Sequence, residues 1–205
     1  MNFNVQDVKN WLQKTNEQIQ ENKQYLTKLD QAIGDGDHGI NMARGFEEAV
    51  ETTTKKEYNH VSDIAKDIAM VIMSKVGGAA GPLYGTAFLR FSLSVKGKDP
   101  VDYTGLVQGL EDGLTGMKQR GKAKLGEKTL IDVWEPVIEQ MKQTDEANPE
   151  QIIETAKRAA EKTKETMATK GRASYFKENS IGHIDPGAMS SSYLFLALAD
   201  VLQGG

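Results

Sequence analysis

Along most of this chain apolar residues return every three or four positions, and polar residues fill the opposite face. Val5, Val8, Trp11, Leu12, Ile19 and Leu26 keep that spacing among Gln, Asn, Glu and Lys, which predicts an amphipathic helix over roughly residues 5 to 29. A second helix opens near Gly39 or Ile40 and turns Met42, Phe46 and Val50 inward. Val61, Ile64, Ile68 and Ile72 mark a third over residues 60 to 75, and Ala87, Phe88 and Phe91 continue one that Pro82 helps to start. After Asp99-Pro100, Leu106, Leu110, Leu114 and Met117 trace another. Thr129-Leu130-Ile131-Asp132 resembles a capping box ahead of Val133, Trp134, Val137 and Met141. Asn148-Pro149-Glu150 caps a helix through Ile152, Ile153, Ala156, Ala160 and Met167 that should end at Gly171. Asp185-Pro186-Gly187 opens the last, through Leu194, Phe195, Leu198 and Val201. No strand-like alternation and no internal repeat competes with this pattern. The expectation is an all-α bundle of about seven or eight helices with short loops, a single domain over 1–205.

One stretch breaks the helical pattern. Asp30-Gln31-Ala32-Ile33-Gly34-Asp35-Gly36-Asp37-His38-Gly39-Ile40-Asn41 packs three carboxylates and three glycines into twelve residues. Carboxylates held about 4 Å apart repel by about 4 kcal/mol per pair at an effective dielectric near 20. A hard cation is expected between them, unless the segment is a solvated turn. With no Cys in the chain, an oxygen-only set suits Mg²⁺ or Ca²⁺. A calcium hand does not fit. Counted from Asp35 its twelfth position is Phe46 and its glycine position is Ile40; counted from Asp30 the twelfth is Asn41.

The connections add the counterpart. Lys75-Val76-Gly77-Gly78-Ala79-Ala80-Gly81-Pro82 is a second glycine-dense turn, readable equally as a tight helix crossing, and it lacks the Lys-Ser/Thr ending of the common phosphate loop. Residues 118–128 carry five basic side chains, two glycines and no aromatic, which reads as a mobile, solvated cationic loop. In an up-and-down bundle alternate connections share an end. The acidic loop, the Gly77–Pro82 turn, the Gly121–Thr129 loop and the Arg172–Pro186 linker are therefore expected to converge. Helix starts there favour an anion and the aspartates favour metal, so a metal-bound polyphosphate satisfies both.

Composition narrows the class. A net charge of −4 argues against a general nucleic-acid binder, and no run of 18 apolar residues predicts a membrane span. The cysteine-free chain and its polar N-terminus, with no signal-peptide pattern, point to the cytoplasm.

Four motifs in the same order resemble the nucleotide-binding L subunits of dihydroxyacetone kinases: Asp30–Asn41, Gly77–Thr86, Arg120–Thr129 with Asp132-Val133-Trp134, and Ala168–Tyr175 with Ser180–Gly187. The resemblance covers essentially the whole chain. It implies an antiparallel helical barrel holding ADP and two Mg²⁺ ions at one end, with Asp30, Asp35 and Asp37 as metal ligands. It also implies that His38, Gly39, Ile40, Asn41, Ala79, Ala80, Gly121, Leu130, Arg172, Asp185, Pro186 and Gly187 form the ADP site. Leu130 stands where a methionine is common, an apolar exchange compatible with binding. In the branch resembled, ADP stays bound as a phosphoryl carrier, so no protein residue is named as catalytic. A phosphohistidine on a phosphotransferase M subunit supplies the phosphoryl group, and dihydroxyacetone on a separate K subunit receives it. A nucleotide-exchanging subunit of an ATP-dependent ketose kinase and a non-catalytic adaptor are the alternatives, and the oligomeric state, a homodimer included, stays open. His38 is read as a donor to phosphate, His183 as ordering its loop and His60 as a surface residue.

Overall fold

The computed structural model describes residues 2–204, and among them the chain forms nine α-helices and two short 3-10 segments, with no strand beyond an isolated bridge between Phe3 and Val101. The helices are α1 (Val5–Glu21), α2 (Lys23–Ile33), α3 (His38–Thr54), α4 (Val61–Lys75), α5 (Ala80–Ser94), α6 (Tyr103–Gly121), α7 (Ile131–Met141), α8 (Pro149–Lys162) and α9 (Pro186–Gln203). Eight of them close a ring: α1 packs on α3, each helix from α3 to α8 on the next, and α9 returns to α1. The short α2 lies outside the ring, against α3 and α9. The all-α architecture is the one that the spacing predicted, and its closure into an antiparallel barrel is the one that the resemblance implied.

The apolar stripes meet inside that ring in one continuous core. Trp11, Phe88 and Phe91 form one aromatic cluster, while Phe46–Tyr84 and Trp134–Phe195 meet edge to face and are joined by a tilted Tyr84–Trp134 contact. Burying each such side chain contributes about 1.5–3 kcal/mol. Both indole N–H groups are satisfied: Trp11 donates to the Leu194 carbonyl at 2.9 Å and Trp134 to Ser191 Oγ at 3.1 Å. No helix among the described residues is long and apolar enough to cross a membrane.

Three elements differ from the sequence expectation, each for a local reason. The first helix is two, broken at Asn22, whose side-chain amide donates to the Gln18 carbonyl and caps α1 while the apolar period runs on. The helix opened by Asn148-Pro149 ends at Lys162 rather than near Gly171: the chain tightens there into a 3-10 turn whose Thr163 carbonyl accepts from Thr166 N–H and, with the Thr166 carbonyl, from the Lys128 ammonium. Met167, expected inside, is exposed. The linker after it is not irregular throughout: Arg172–Ser180 winds as 3-10 helix around a kink at Lys177.

Candidate functional site

The α2–α3 connection is drawn back onto α2 by its own acid. Asp30, buried in the last turn of α2, accepts from the backbone amides of Asp37 (2.8 Å) and His38 (3.0 Å) through one carboxylate oxygen. Gly36 takes the left-handed conformation that lets so short a loop reverse. The outcome is that ligand atoms from Asp30, Asp35 and Asp37 lie within 4.8 Å of one another. A cation already stands beside them: Arg172 Nη2 is 2.9 Å from Asp35 Oδ2.

These residues form one wall of a cavity of about 360 Å³, a size suited to a small-molecule ligand. All four connections reach it. Asp30, Asp35, Asp37, His38 and Asn41 come from the acidic hairpin, and Gly77 to Ala80 from the glycine turn. Gly121, Ala123 and Lys128 to Ile131 come from the third connection, and Lys170 to Ala173 with Asp185 to Gly187 from the fourth. The glycine turn divides between the two readings offered for it. Gly77 and Gly78 line the cavity, whereas a Cβ on Gly81 would meet the Val76 carbonyl at 2.1 Å, so that glycine serves the crossing of α4 and α5.

Two residues expected in the ADP site do not line the cavity. Gly39 is buried against α2, where a Cβ would lie 2.2 Å from the Lys23 carbonyl; Ile40 points into solvent. The anion-binding amides expected there are also partly engaged, since His38 N–H serves Asp30 and Asn41 N–H serves the Asp37 carbonyl. His183 and His60 lie outside the cavity; His60 instead pairs with Asp99 at 2.8 Å.

His38 faces two ways. Its ring lines the cavity, and its Nε2 lies 2.9 Å from Ser190 Oγ. From there hydroxyls run inward through Tyr84 to Ser191 and Trp134. Burial depresses its pKa to about 4 against the opposing pull of Asp30 and Asp37, so the imidazole is neutral at pH 7.

The cavity floor holds what the sequence pattern hid. Lys128, read from its neighbours as part of a solvated cationic loop, is 1% exposed. Its ammonium donates to the carbonyls of Thr163 (2.6 Å), Thr166 (3.1 Å) and His183. Burial pushes this ammonium below the usual lysine range, while Asp185 and Asp132 hold it up. Asp132 accepts from the amides of Gly126 and Thr129, each at 2.7 Å, which forms one half of the anticipated capping box; the other half is missing, because Thr129 Oγ1 accepts from Ile131 N–H rather than from Asp132 N–H. Asp185 caps α9 by accepting from Ala188 N–H at 2.7 Å. Its full burial, together with Asp132 and Asp30, raises its pKa to about 7, against the Ala188 bond and Lys128. Only the step from a basic run into a helix cap singles Lys128 out in the sequence.

The donor set fits a divalent cation with an anionic ligand. Hard oxygens converge at one wall, a guanidinium stands at their edge, and glycine-bearing backbone leaves the adjoining space free of side chains. Comparison with known proteins identifies the family. A family profile described as DAK2 domain matches residues 32–200. The chain is 53% identical over 188 residues to the ADP-binding subunit of PEP-dependent dihydroxyacetone kinase 1 of Listeria innocua, covering 92% of each. It is 40% identical over 205 residues to the ADP-binding subunit of the PEP-dependent dihydroxyacetone kinase of Escherichia coli, covering 97% of this chain and 98% of that one. The solved dihydroxyacetone kinase of C. freundii in complex with AMP-PNP and Mg²⁺ shares the fold, with a TM-score of 0.79 at 22% identity. That match takes in 98% of this chain and 34% of the larger one.

Proposed function

The chain belongs to the DAK2 domain family, and on that premise we propose that it is the ADP-holding phosphotransferase subunit of a dihydroxyacetone kinase, a single nucleotide-binding domain over 1–205 that works in the cytoplasm. Through Mg-ADP kept as a cofactor, a phosphoryl group passes from a phosphohistidine on an M subunit to dihydroxyacetone on a separate K subunit. The observation that carries this reading is the meeting of four separate connections around one cavity with three carboxylates on its wall.

Asp30, Asp35 and Asp37 would hold two Mg²⁺ ions. His38, Asn41, Ala79, Ala80, Gly121, Leu130, Arg172 and Asp185 to Gly187 would hold ADP. When bound, Mg-ADP supplies a charge-neutralised diphosphate end that accepts and hands on a phosphoryl group. The chain's own residues position rather than react. Arg172, on the 3-10 segment, is free to leave Asp35 for phosphate oxygens once metal replaces it. The neutral His38 ring, held by Ser190, offers a donor without adding charge. Leu130 and Ala80 give the apolar wall a nucleoside needs.

The test is to incubate the protein with labelled phosphoenolpyruvate and the phosphotransferase components, then separate nucleotide from protein. The reading predicts label on the bound nucleotide, and its onward transfer when a K subunit and dihydroxyacetone are added. Label arriving only from exogenous ATP, with rapid exchange of bound ADP, would contradict it in favour of an ATP-dependent kinase.

A further inference from the structure

Asn41 sits in the first turn of α3, buried at 8% exposure, with its amide in the cavity wall. An asparagine amide ends in an acceptor and a donor of nearly equal size, so the end facing a ligand is set by its other contacts. Here that contact is Arg44, one turn further along α3. Arg44 Nη2 donates to Asn41 Oδ1 at 2.8 Å, and its Nε donates to the carbonyl of Lys75, the last residue of α4, at 3.0 Å. A guanidinium carries donors only, so it can satisfy the amide oxygen and never the amide nitrogen. Gly77 completes the clamp: a Cβ there would lie 2.8 to 2.9 Å from Cγ, Oδ1 and Nδ2 of Asn41, so the amide lies flat against bare backbone. Arg44 itself is exposed and does not line the cavity.

We propose that Arg44 is a positioning residue that turns Asn41 into a fixed hydrogen-bond donor for the phosphate oxygens of the nucleotide. By engaging Oδ1 it directs the NH₂ of Asn41 toward the cavity, and its charge polarises the amide so that this NH₂ donates more strongly. Through Lys75 it also ties the end of α4, and hence the Gly77–Gly78 turn, to α3. The inference rests on the reading of the cavity as a nucleotide site.

A double-mutant cycle on ADP affinity in Mg²⁺, read by calorimetry with melting temperature alongside, tests it. Arg44→Met should weaken ADP about tenfold, and Asn41→Ala by a similar factor. Adding Arg44→Met to Asn41→Ala should change affinity by less than about twofold, since the group it acts through is gone. Arg44→Lys keeps a head group that carries donors only and should bind within about threefold of wild type, which keeps the test open even if Arg44→Met folds poorly. Equal losses from Arg44→Met in both backgrounds, or a loss in Arg44→Lys as large as in Arg44→Met, would overturn the inference. Wild-type protein that binds no ADP in Mg²⁺ would overturn the reading of the cavity and this inference with it.

Discussion

The cavity has two acidic regions built on opposite principles. At the hairpin, Asp30, Asp35 and Asp37 crowd together with only an exposed guanidinium beside one of them. At the floor, Asp132 and Asp185 are buried, and the chain supplies its own cation in Lys128, whose donors are taken by three carbonyls. In the proposed reading the first cluster takes an external cation; the second has one from the chain. On the proposed function the hairpin serves binding, whereas the floor serves the architecture that brings α7 and α9 together. Lys128 reaches α9 through Thr163, whose carbonyl takes the ammonium and whose Oγ1 accepts from Asp185 N–H at 3.0 Å.

The largest effect that would break this contrast is at the floor. Lys128→Met takes the shared donor from the carbonyls of Thr163, Thr166 and His183 and the nearby positive charge from the buried Asp132 and Asp185, and removing one member of a buried charge cluster costs about 3–5 kcal/mol. Thermal unfolding followed by circular dichroism should therefore drop by about 10 °C, equally with Mg²⁺ and with chelator. A variant melting within about 2 °C of wild type would deny the floor its role.

The next is a matter of protons. Asp185, with its pKa raised to about 7, stabilises the fold below the carboxylate's unfolded value, and that contribution is lost as pH rises through 7. His38, depressed to about 4, does the reverse: its contribution is present above the unfolded value of 6.5 and lost as pH falls through 4. Between pH 4 and 6.5 the two slopes oppose, each about 1.4 kcal/mol per pH unit at most. Relative to wild type in chelator, Asp185→Asn should gain stability as pH rises through that window, and His38→Gln should lose it. Denaturant titrations across the window check both signs.

The smallest effect on stability sharpens the contrast from the hairpin side. The exposed Arg172–Asp35 pair contributes under about 1 kcal/mol, so Arg172→Ala should melt within about 2 °C of wild type in chelator. Its ADP affinity in Mg²⁺ should nonetheless fall by about tenfold, a charge-assisted bond to phosphate being lost. A large loss of stability with unchanged affinity would reverse the assignment.

The same contrast explains how much of the molecule is legible in its amino-acid sequence. Helical spacing announces which faces turn inward, so the helical bundle and the converging connections can be read from it. The aspartates of the hairpin are legible because three acids among three glycines have no ordinary structural use. Lys128 is not, because a lysine among Lys122 and Lys124 carries no mark of burial, and only the distant carbonyls of Thr163, Thr166 and His183 create it. The ends of α1 and α8 are hidden likewise, marked by an asparagine side chain and by a 3-10 turn at that same ammonium rather than by periodicity. Arg44 reads as an exposed helix charge until Asn41 and Lys75 are seen beside it.

The account turns on the hairpin's demand for a cation, and one calorimetric titration tests that directly: ADP into nucleotide-free protein, with Mg²⁺ and then with chelator, for wild type and Asp35→Asn. The account predicts one tightly held ADP in wild type with Mg²⁺ and a loss of at least about a hundredfold, near 2.7 kcal/mol, on chelation or substitution. Equal ADP affinity under all of these conditions would contradict it.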